Sequence, residues 1–158
     1  MKDCYRVYLS GPITGLSYND AVSWTDIAKE RLMLDYGING YRPLRGKKVV
    51  LSEHGILDAK GYIHNPISSP KGIYGRDMND VYTSDALLVN VLGAKIASQG
   101  TIAEITAAWI WRKPIVLVIE DEDNVMDHIF VTEPATYRVN NLEDAYHLIN
   151  LLLNDDYV

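Results

Sequence analysis

The sequence has little cysteine and no surplus of positive charge. Cys4 is the single cysteine among 158 residues, so the chain cannot form an internal disulfide. The 15 lysines and arginines are outnumbered by 21 aspartates and glutamates, which gives a net charge of -6. An extended contact with a nucleic-acid polymer is therefore not expected, although a single small anion could still bind.

Membrane-spanning runs and targeting segments are also missing from the sequence. The apolar run at 115–119 has the length of a strand, far below the ~18 residues of a membrane span. No positively charged region leads into an apolar signal core at the N-terminus. Together with the lone thiol, this predicts a cytoplasmic protein that does not contact membranes. His54 and His64 are ten residues apart with no cysteine nearby, so we predict no metal site.

Segments with the periodicity of strands and helices alternate along the chain, and 47% of its residues are hydrophobic, which indicates one domain over 1–158. Predicted strands are 5–9, 39–43, 86–91 and 115–119, with a fifth at 130–131 or 137–139. Predicted helices are 19–36, with Asn19 or Asp20 as cap and Gly37 as stop, one beginning close to Asp77, one entered through Thr101, and 142–153. The alternation predicts an α/β fold of the flavodoxin-like type. Its open, doubly wound parallel sheet of about five strands has helices on both faces and a ligand crevice at the carboxyl ends of the strands.

A long stretch without periodicity, at about 44–75, interrupts this alternation. Connections of this length in compact domains usually form a functional loop or lid, or mobile surface. Arg45, Lys47 and Lys48 within it could receive a phosphate, although a solvated surface is the favoured interpretation.

Glu104 is the central candidate for chemistry. It follows Thr101 by three residues in the expected first turn of a helix, so it could complete a capping box. Alternatively, the positive end of the helix dipole could keep Glu104 ionised, and therefore nucleophilic, at the ligand edge of the sheet. Spacing alone favours the capping box.

Other candidates are expected at the same edge of the sheet. Ser10, Gly11 and Pro12 follow the first strand, where small residues let the backbone approach a ligand or simply end the strand. Asp77 could complement a helix dipole, and the loop at 98–100 follows the third strand. All of these would face one crevice with Glu104.

Four segments together resemble the nucleoside 2-deoxyribosyltransferase family and its relatives, the deoxynucleoside 5'-monophosphate N-glycosidases. They are YLSGPITG at 8–15, RDMNDVYTSDALLVNV at 76–91, SQGTIAEITAAWIWRKPIVLV at 98–118 and NVM at 124–126. The resemblance covers most of the chain outside 44–74. It implies a homo-oligomer, a dimer or larger, with a composite active site. It also implies a nucleoside or nucleotide and a nucleobase as small-molecule partners, with no cofactor.

The resemblance also implies roles for single residues. Glu104 is the expected nucleophile that attacks the anomeric carbon, Tyr8 orients it, and Asp77, held near neutral, protonates the leaving base. Cleavage with retention requires such a pair of one ionised carboxylate and one proton donor. The expected substrate-binding residues lie in the matched segments and are Ser10, Gly11, Pro12, Ser98, Gly100, Thr101, Asn124 and Met126.

Two positions point to different substrates. The transferases commonly have an aspartate six residues before the nucleophile. This chain has Ser98 at that position and thereby resembles the monophosphate hydrolases, because a serine hydroxyl can bind a phosphate that an aspartate would repel. Asn124 is similar to the transferases, in which this asparagine enters the neighbouring subunit's site. The favoured expectation is transfer of 2'-deoxyribose from a nucleoside to another base. The alternatives are a 5'-monophosphate N-glycosidase and a nucleotide-binding sensor without turnover.

Overall fold

A computed structural model describes residues 4–13, 18–43 and 69–154 of the chain. Strands and helices alternate within these ranges, five of each. In chain order they are β1 (Arg6–Ser10), α1 (Tyr18–Tyr36), β2 (Asn39–Tyr41), α2 (Pro70–Thr83), β3 (Ala86–Asn90), α3 (Gln99–Ile110), β4 (Ile115–Val118), α4 (Ile129–Thr132), β5 (Tyr137–Val139) and α5 (Leu142–Leu153).

The five described strands form one sheet in the order β2-β1-β3-β4-β5, and all neighbouring pairs are parallel. This order is that of flavodoxin-like proteins, so the predicted doubly wound α/β fold is confirmed. The strand order reverses between β1 and β3, where Tyr8 pairs with Leu87 and Ser10 with Val89. Ligands of such sheets bind at this reversal, outside the carboxyl ends of the strands.

The two faces of the sheet form two separate cores. Val7 and Leu9 of β1 point into the core shared with α1 and α5, whereas Tyr8 points into the core that includes Val81 of α2 and Ile105 of α3. Neighbouring residues of a strand face opposite sides, so Ser10 lies on the same face as Tyr8. This alternation directs two hydroxyl groups of β1 towards α3.

Most predicted boundaries lie within one or two residues of the observed ones. Gly37 ends α1 as predicted: its φ is +67°, a left-handed conformation that glycine tolerates, and its N–H bonds to the Met33 carbonyl oxygen at 3.1 Å. Asn19 and Asp20 lie inside α1, so the prediction that one of them caps it is wrong. The residues 130–131 belong to α4, a single turn capped by His128 in which Val131 is buried and Phe130 is exposed, so β5 is the predicted alternative at 137–139.

Helix α2 begins earlier than the sequence indicated. Pro70 is its first residue, and the Ser69 side chain caps it by accepting from the Gly72 N–H at 3.1 Å. Residues 70–75 are thus helical, and placing them in the long loop was wrong; Asp77 also lies in the middle of α2 and not near its start. The rest of that predicted loop, with Arg45, Lys47 and Lys48, lies outside the described residues.

No helix within the described ranges is both long and apolar enough to span a bilayer.

A substitution of Gly11 tests how closely the chain packs after β1, where the strand order reverses. An added Cβ would lie 2.7 Å from the Asn90 carbonyl oxygen and 3.3 Å from the Trp24 ring. We expect Gly11→Ala to lower the free energy of unfolding by about 1–3 kcal/mol, because the clash is with backbone. Gly75→Ala is the matched control, because none of the described atoms lies within 4 Å of its added Cβ. We expect this variant to raise the free energy of unfolding by about 0.5–1 kcal/mol, since alanine favours a helix over glycine. Urea unfolding of both variants measures their free energies of unfolding, and equal values for Gly11→Ala and Gly75→Ala would refute the close contact at Gly11.

Candidate active site

A carboxylate is held between two hydroxyl groups at the carboxyl end of β1. Tyr8 Oη donates to Glu104 Oε1 at 2.8 Å, and Ser10 Oγ donates to Glu104 Oε2 at 2.5 Å. Tyr8 and Ser10 are fully buried, and Glu104 is 7% exposed. A buried carboxylate is stable only when its oxygens are hydrogen-bonded, and each oxygen here has a hydroxyl donor. The arrangement fixes the direction in which Glu104 points.

Glu104 does not take part in a capping box. The residue that caps α3 is Ser98, whose Oγ accepts from the Thr101 N–H at 3.3 Å and from Thr101 Oγ1 at 3.0 Å. The favoured interpretation, in which Thr101 caps and Glu104 reaches back, is therefore wrong, as is a helix entered through Thr101. Because α3 already begins at Gln99, Glu104 lies beyond its first turn, on the face towards β1. The helix dipole acts mainly within the first turn, so the two hydroxyls are the main partners of this carboxylate.

Asp77 lies in α2, is 7% exposed, and forms an ion pair with its neighbour Arg76. Arg76 donates to Asp77 Oδ1 from Nε at 3.0 Å and from Nη2 at 2.8 Å, and Nη2 also donates to the Pro43 carbonyl oxygen at 2.6 Å. A guanidinium this close favours the charged carboxylate over the neutral acid. Burial of the side chain acts in the opposite direction, so the expectation that Asp77 is held near neutral stays a prediction.

Tyr8 interacts with three acidic side chains of the site. Burial, the charges of Glu104 and Asp77, its hydrogen bond to Glu104 and the charge of Asp80 all raise the pKa of Tyr8 well above its ordinary value. Asp80 is 4% exposed and follows Asp77 by one helical turn. The Tyr8 hydroxyl therefore keeps its proton and acts as a donor to Glu104.

The start of α3 precedes Glu104 on the same helix and is the candidate rim of the site. Ser98 is half-buried and Gly100 is exposed, while Thr101 is buried beneath them. The first turn of α3, which is described throughout, contains no acidic side chain. The leading N–H groups of a helix lack intrahelical acceptors, so this end can receive an anion or a hydroxyl.

Two further loops follow the carboxyl ends of β1 and β4. Gly11 and Pro12 follow β1, and Gly11 packs closely against the Asn90 carbonyl oxygen at the end of β3. Met126 is 1% exposed, and its Sδ accepts from the Ser98 N–H at 3.2 Å. The Asn124 amide is bound to Val91, Glu120 and Met126 of its own chain.

The structure thus joins Tyr8, Ser10 and Glu104 directly and places Asp77 next to them. Sequence reasoning missed Arg76 and Asp80. Arg76 directly precedes Asp77, and a spacing of three residues puts Asp80 on the same face of a helix, so both could have been noted once that helix was assigned. Within the described part of the chain, no group of three or more histidine, cysteine, aspartate or glutamate side chains could hold a metal ion. His54 and His64 lie outside it.

The parallel sheet and the buried carboxylate at its strand reversal define an α/β protein with a candidate ligand site at the carboxyl ends of its strands. The sequence model for nucleoside 2-deoxyribosyltransferases matches residues 7–152. The chain therefore belongs to the nucleoside 2-deoxyribosyltransferase family, which acts on small-molecule nucleosides or nucleotides. The resemblance found in the sequence is confirmed.

The fold is similar to that of a solved structure, CMP N-glycosidase BcmB from Clostridium botulinum. The two share a TM-score of 0.51 and 14% sequence identity over 92% of this chain and 98% of BcmB. At this identity the similarity concerns the fold alone. A search of curated protein sequences gave no significant match.

The raised pKa of Tyr8 predicts how stability changes at alkaline pH. Unfolded tyrosines ionise near pH 10, whereas folded Tyr8 keeps its proton there, so the folded state binds more protons and the free energy of unfolding falls as pH rises above about 10. We expect Tyr8→Phe to reduce this fall, because it removes the group. Burial raises the pKa of Tyr146 to about 12, but this side chain is common to both proteins and cancels in the comparison. Urea unfolding between pH 8 and about 11 measures both slopes; identical slopes would contradict the assignment.

Proposed function

We propose that this protein cleaves the N-glycosidic bond of a 2'-deoxynucleoside through a covalent glycosyl-Glu104 intermediate and transfers the sugar to another nucleobase. The observation that carries the proposal is the buried Glu104 carboxylate, held by Tyr8 Oη at 2.8 Å and Ser10 Oγ at 2.5 Å. Two hydroxyl donors keep the group ionised and aimed, as a nucleophile requires. Membership of the family supports the same class of reaction.

In the first step, one Glu104 oxygen forms a bond to C1' as the bond from C1' to the base nitrogen breaks. The bonding electron pair leaves with the base, which takes up a proton. The transition state has the character of an oxocarbenium ion, so positive charge develops on the sugar. Glu104 and Asp80 provide negative charge on this side of the site, and Asp77 adds to it as its proton passes to the base.

Asp77 is the proposed donor of the proton to the leaving base. It must first take up a proton, which the Arg76 ion pair opposes in the free protein. The proposal therefore requires this pair to loosen when the base enters. Arg76 has a second partner, the Pro43 carbonyl oxygen, on which it can remain.

In the second step, a ring nitrogen of the acceptor nucleobase attacks C1' and gives up its proton to Asp77 as the bond from C1' to Glu104 breaks, which regenerates the carboxylate and the proton donor. Two successive inversions give net retention at C1'. The hydroxyls of Tyr8 and Ser10 then hold Glu104 for the next cycle.

A second candidate is hydrolysis of a nucleoside 5'-monophosphate, with water as the acceptor. The specific observation in its favour is the start of α3, where Ser98 and Gly100 stand at a helix N-terminus whose first turn lacks acidic groups. Such an end favours a phosphate dianion. Binding without turnover remains the alternative from a different class, since fold alone does not determine activity.

Three incubations separate these functions. Deoxyinosine with free adenine should yield deoxyadenosine if the protein is a transferase. Deoxynucleoside monophosphates alone should release free base if it is the hydrolase. Binding of a monophosphate, measured by calorimetry, without either product would identify a sensor and refute the proposed function.

Glu104→Gln tests the nucleophile. The amide keeps the size of the side chain but cannot attack C1', so we expect turnover to fall by roughly 10³-fold or more and covalent sugar labelling to disappear. The measurement is initial rate, with mass spectrometry of enzyme treated with a 2-fluoro-sugar nucleoside. Glu122→Gln, an exposed position in the loop after β4, is the matched control and should keep the wild-type rate. A near-normal rate for Glu104→Gln would exclude the mechanism.

Ser98→Asp tests which substrate the rim accepts. Aspartate and asparagine both cap helices well, so Ser98→Asp and Ser98→Asn differ mainly in charge. If Ser98 faces a 5'-phosphate, the aspartate variant should lose about tenfold or more in kcat/KM for monophosphates, and little for nucleosides, because it repels the dianion. The asparagine variant should lose far less. Equal losses on both substrates would show that Ser98 does not face the 5' group.

A further inference from the structure

The side chain of Arg76 binds two groups that belong to different parts of the fold. Its Nε and Nη2 donate to Asp77 Oδ1 at 3.0 Å and 2.8 Å, and Nη2 also donates to the Pro43 carbonyl oxygen at 2.6 Å. Pro43 follows β2, whereas Asp77 lies in α2. The Arg76 side chain is only 15% exposed, so salt and water screen its contact with Asp77 weakly.

Several features of the site favour the neutral form of Asp77. The residue is buried, and burial disfavours the charged form of a carboxyl group. The charges of Asp77, Asp80 and Glu104 all act on the Tyr8 hydroxyl, so three carboxylates share one site. Like charges in one site disfavour each other's ionised forms. Arg76 acts against both effects, because it stabilises the ionised carboxylate through two charge-assisted hydrogen bonds.

The position of the guanidinium does not satisfy all of the donors of Arg76. Its Nη1 is buried and has no hydrogen-bond partner in the part of the chain that the structure describes. A buried donor without an acceptor is uncommon in folded proteins, because it costs free energy. Hydrogen bonding alone therefore does not explain this position, whereas the positive charge that it places beside Asp77 does.

We propose that Arg76 is a positioning residue that holds Asp77 ionised in the free protein and so sets the pH range over which Asp77 can donate a proton. The role of Asp77 as donor rests on the proposed function. The effect of Arg76 on the ionisation of Asp77 does not, and it can be measured without any reaction.

The first test follows the carboxyl carbon of Asp77 by NMR as the pH of the full chain is changed, with Asp77→Asn to assign the signal. Arg76→Gln keeps N–H donors but removes the charge, so Asp77 should titrate at a pH about 1 unit or more above that of the wild type. Arg31→Gln is the matched control, since Arg31 forms its ion pairs with Asp35 and Glu143. It should leave the titration of Asp77 unchanged.

The outcome that would overturn the proposal is an Asp77 that titrates at the same pH in the wild type and in Arg76→Gln.

Arg76→Lys keeps the test decisive if Arg76→Gln fails to fold. Lysine retains the positive charge but lacks the planar fork that makes two hydrogen bonds to Asp77. Asp77 should therefore titrate at a higher pH than in the wild type and at a lower pH than in Arg76→Gln. A lysine variant in which Asp77 titrates at the wild-type pH would contradict the proposal.

The second test is the dependence of kcat/KM on pH, which reports ionisations of the free enzyme. One limb of the wild-type profile should match the titration of Asp77, and that limb should move to higher pH in Arg76→Gln by a similar amount. A purely structural role of Arg76 would lower kcat/KM at every pH and leave the limb in place. A fixed limb beside a shifted NMR titration would overturn the role of Arg76 in the reaction.

Failure of the proposed function would look different. A wild-type protein without activity on any of these substrates would refute that function alone. The NMR titration would then still decide whether Arg76 controls the ionisation of Asp77.

Discussion

The structure depends on the burial of one carboxylate between two hydroxyl groups of a strand. Leaving the 7%-exposed Glu104 without donors would be costly, so β1 has to present Tyr8 and Ser10 on one face. Those two residues share a face because they are two positions apart in an extended strand. Helix α3 must then cross this face close to β1, which the pairing of β1 with β3 ensures. Sheet order, strand register and helix position together bring Glu104 into contact with Tyr8 and Ser10.

Much of the fold could be predicted because its signals are local. Buried runs such as Ile115–Val118 and the left-handed stop at Gly37 depend on a few neighbouring residues. The capping-box interpretation of Glu104 failed for a different reason. A cap and a carboxylate turned towards another strand have the same local sequence, and only the packing of α3 on β1 distinguishes them. The start of α2 at Pro70 was missed because Gly72 and Gly75 weaken its helical pattern.

The electrostatics of the site could be predicted least. The sequence supplied the acidic residues, but it could not reveal that Arg76 turns back onto Asp77 or that Asp80 lies close enough to affect Tyr8. These are properties of side-chain direction. Their result is a site with more negative than positive charge, suited to the cationic sugar of the proposed transition state. The same charge would disfavour a phosphate in the depth of the site.

A monophosphate would therefore have to keep its charged end away from these carboxylates, and α3 offers a way to do so. Ser98 and Glu104 are six residues apart, which corresponds to roughly 9 Å along a helix axis. One rigid helix thus carries the proposed nucleophile at one point and an N-terminus without acidic residues at another. The distance between these two features cannot change while the helix is intact.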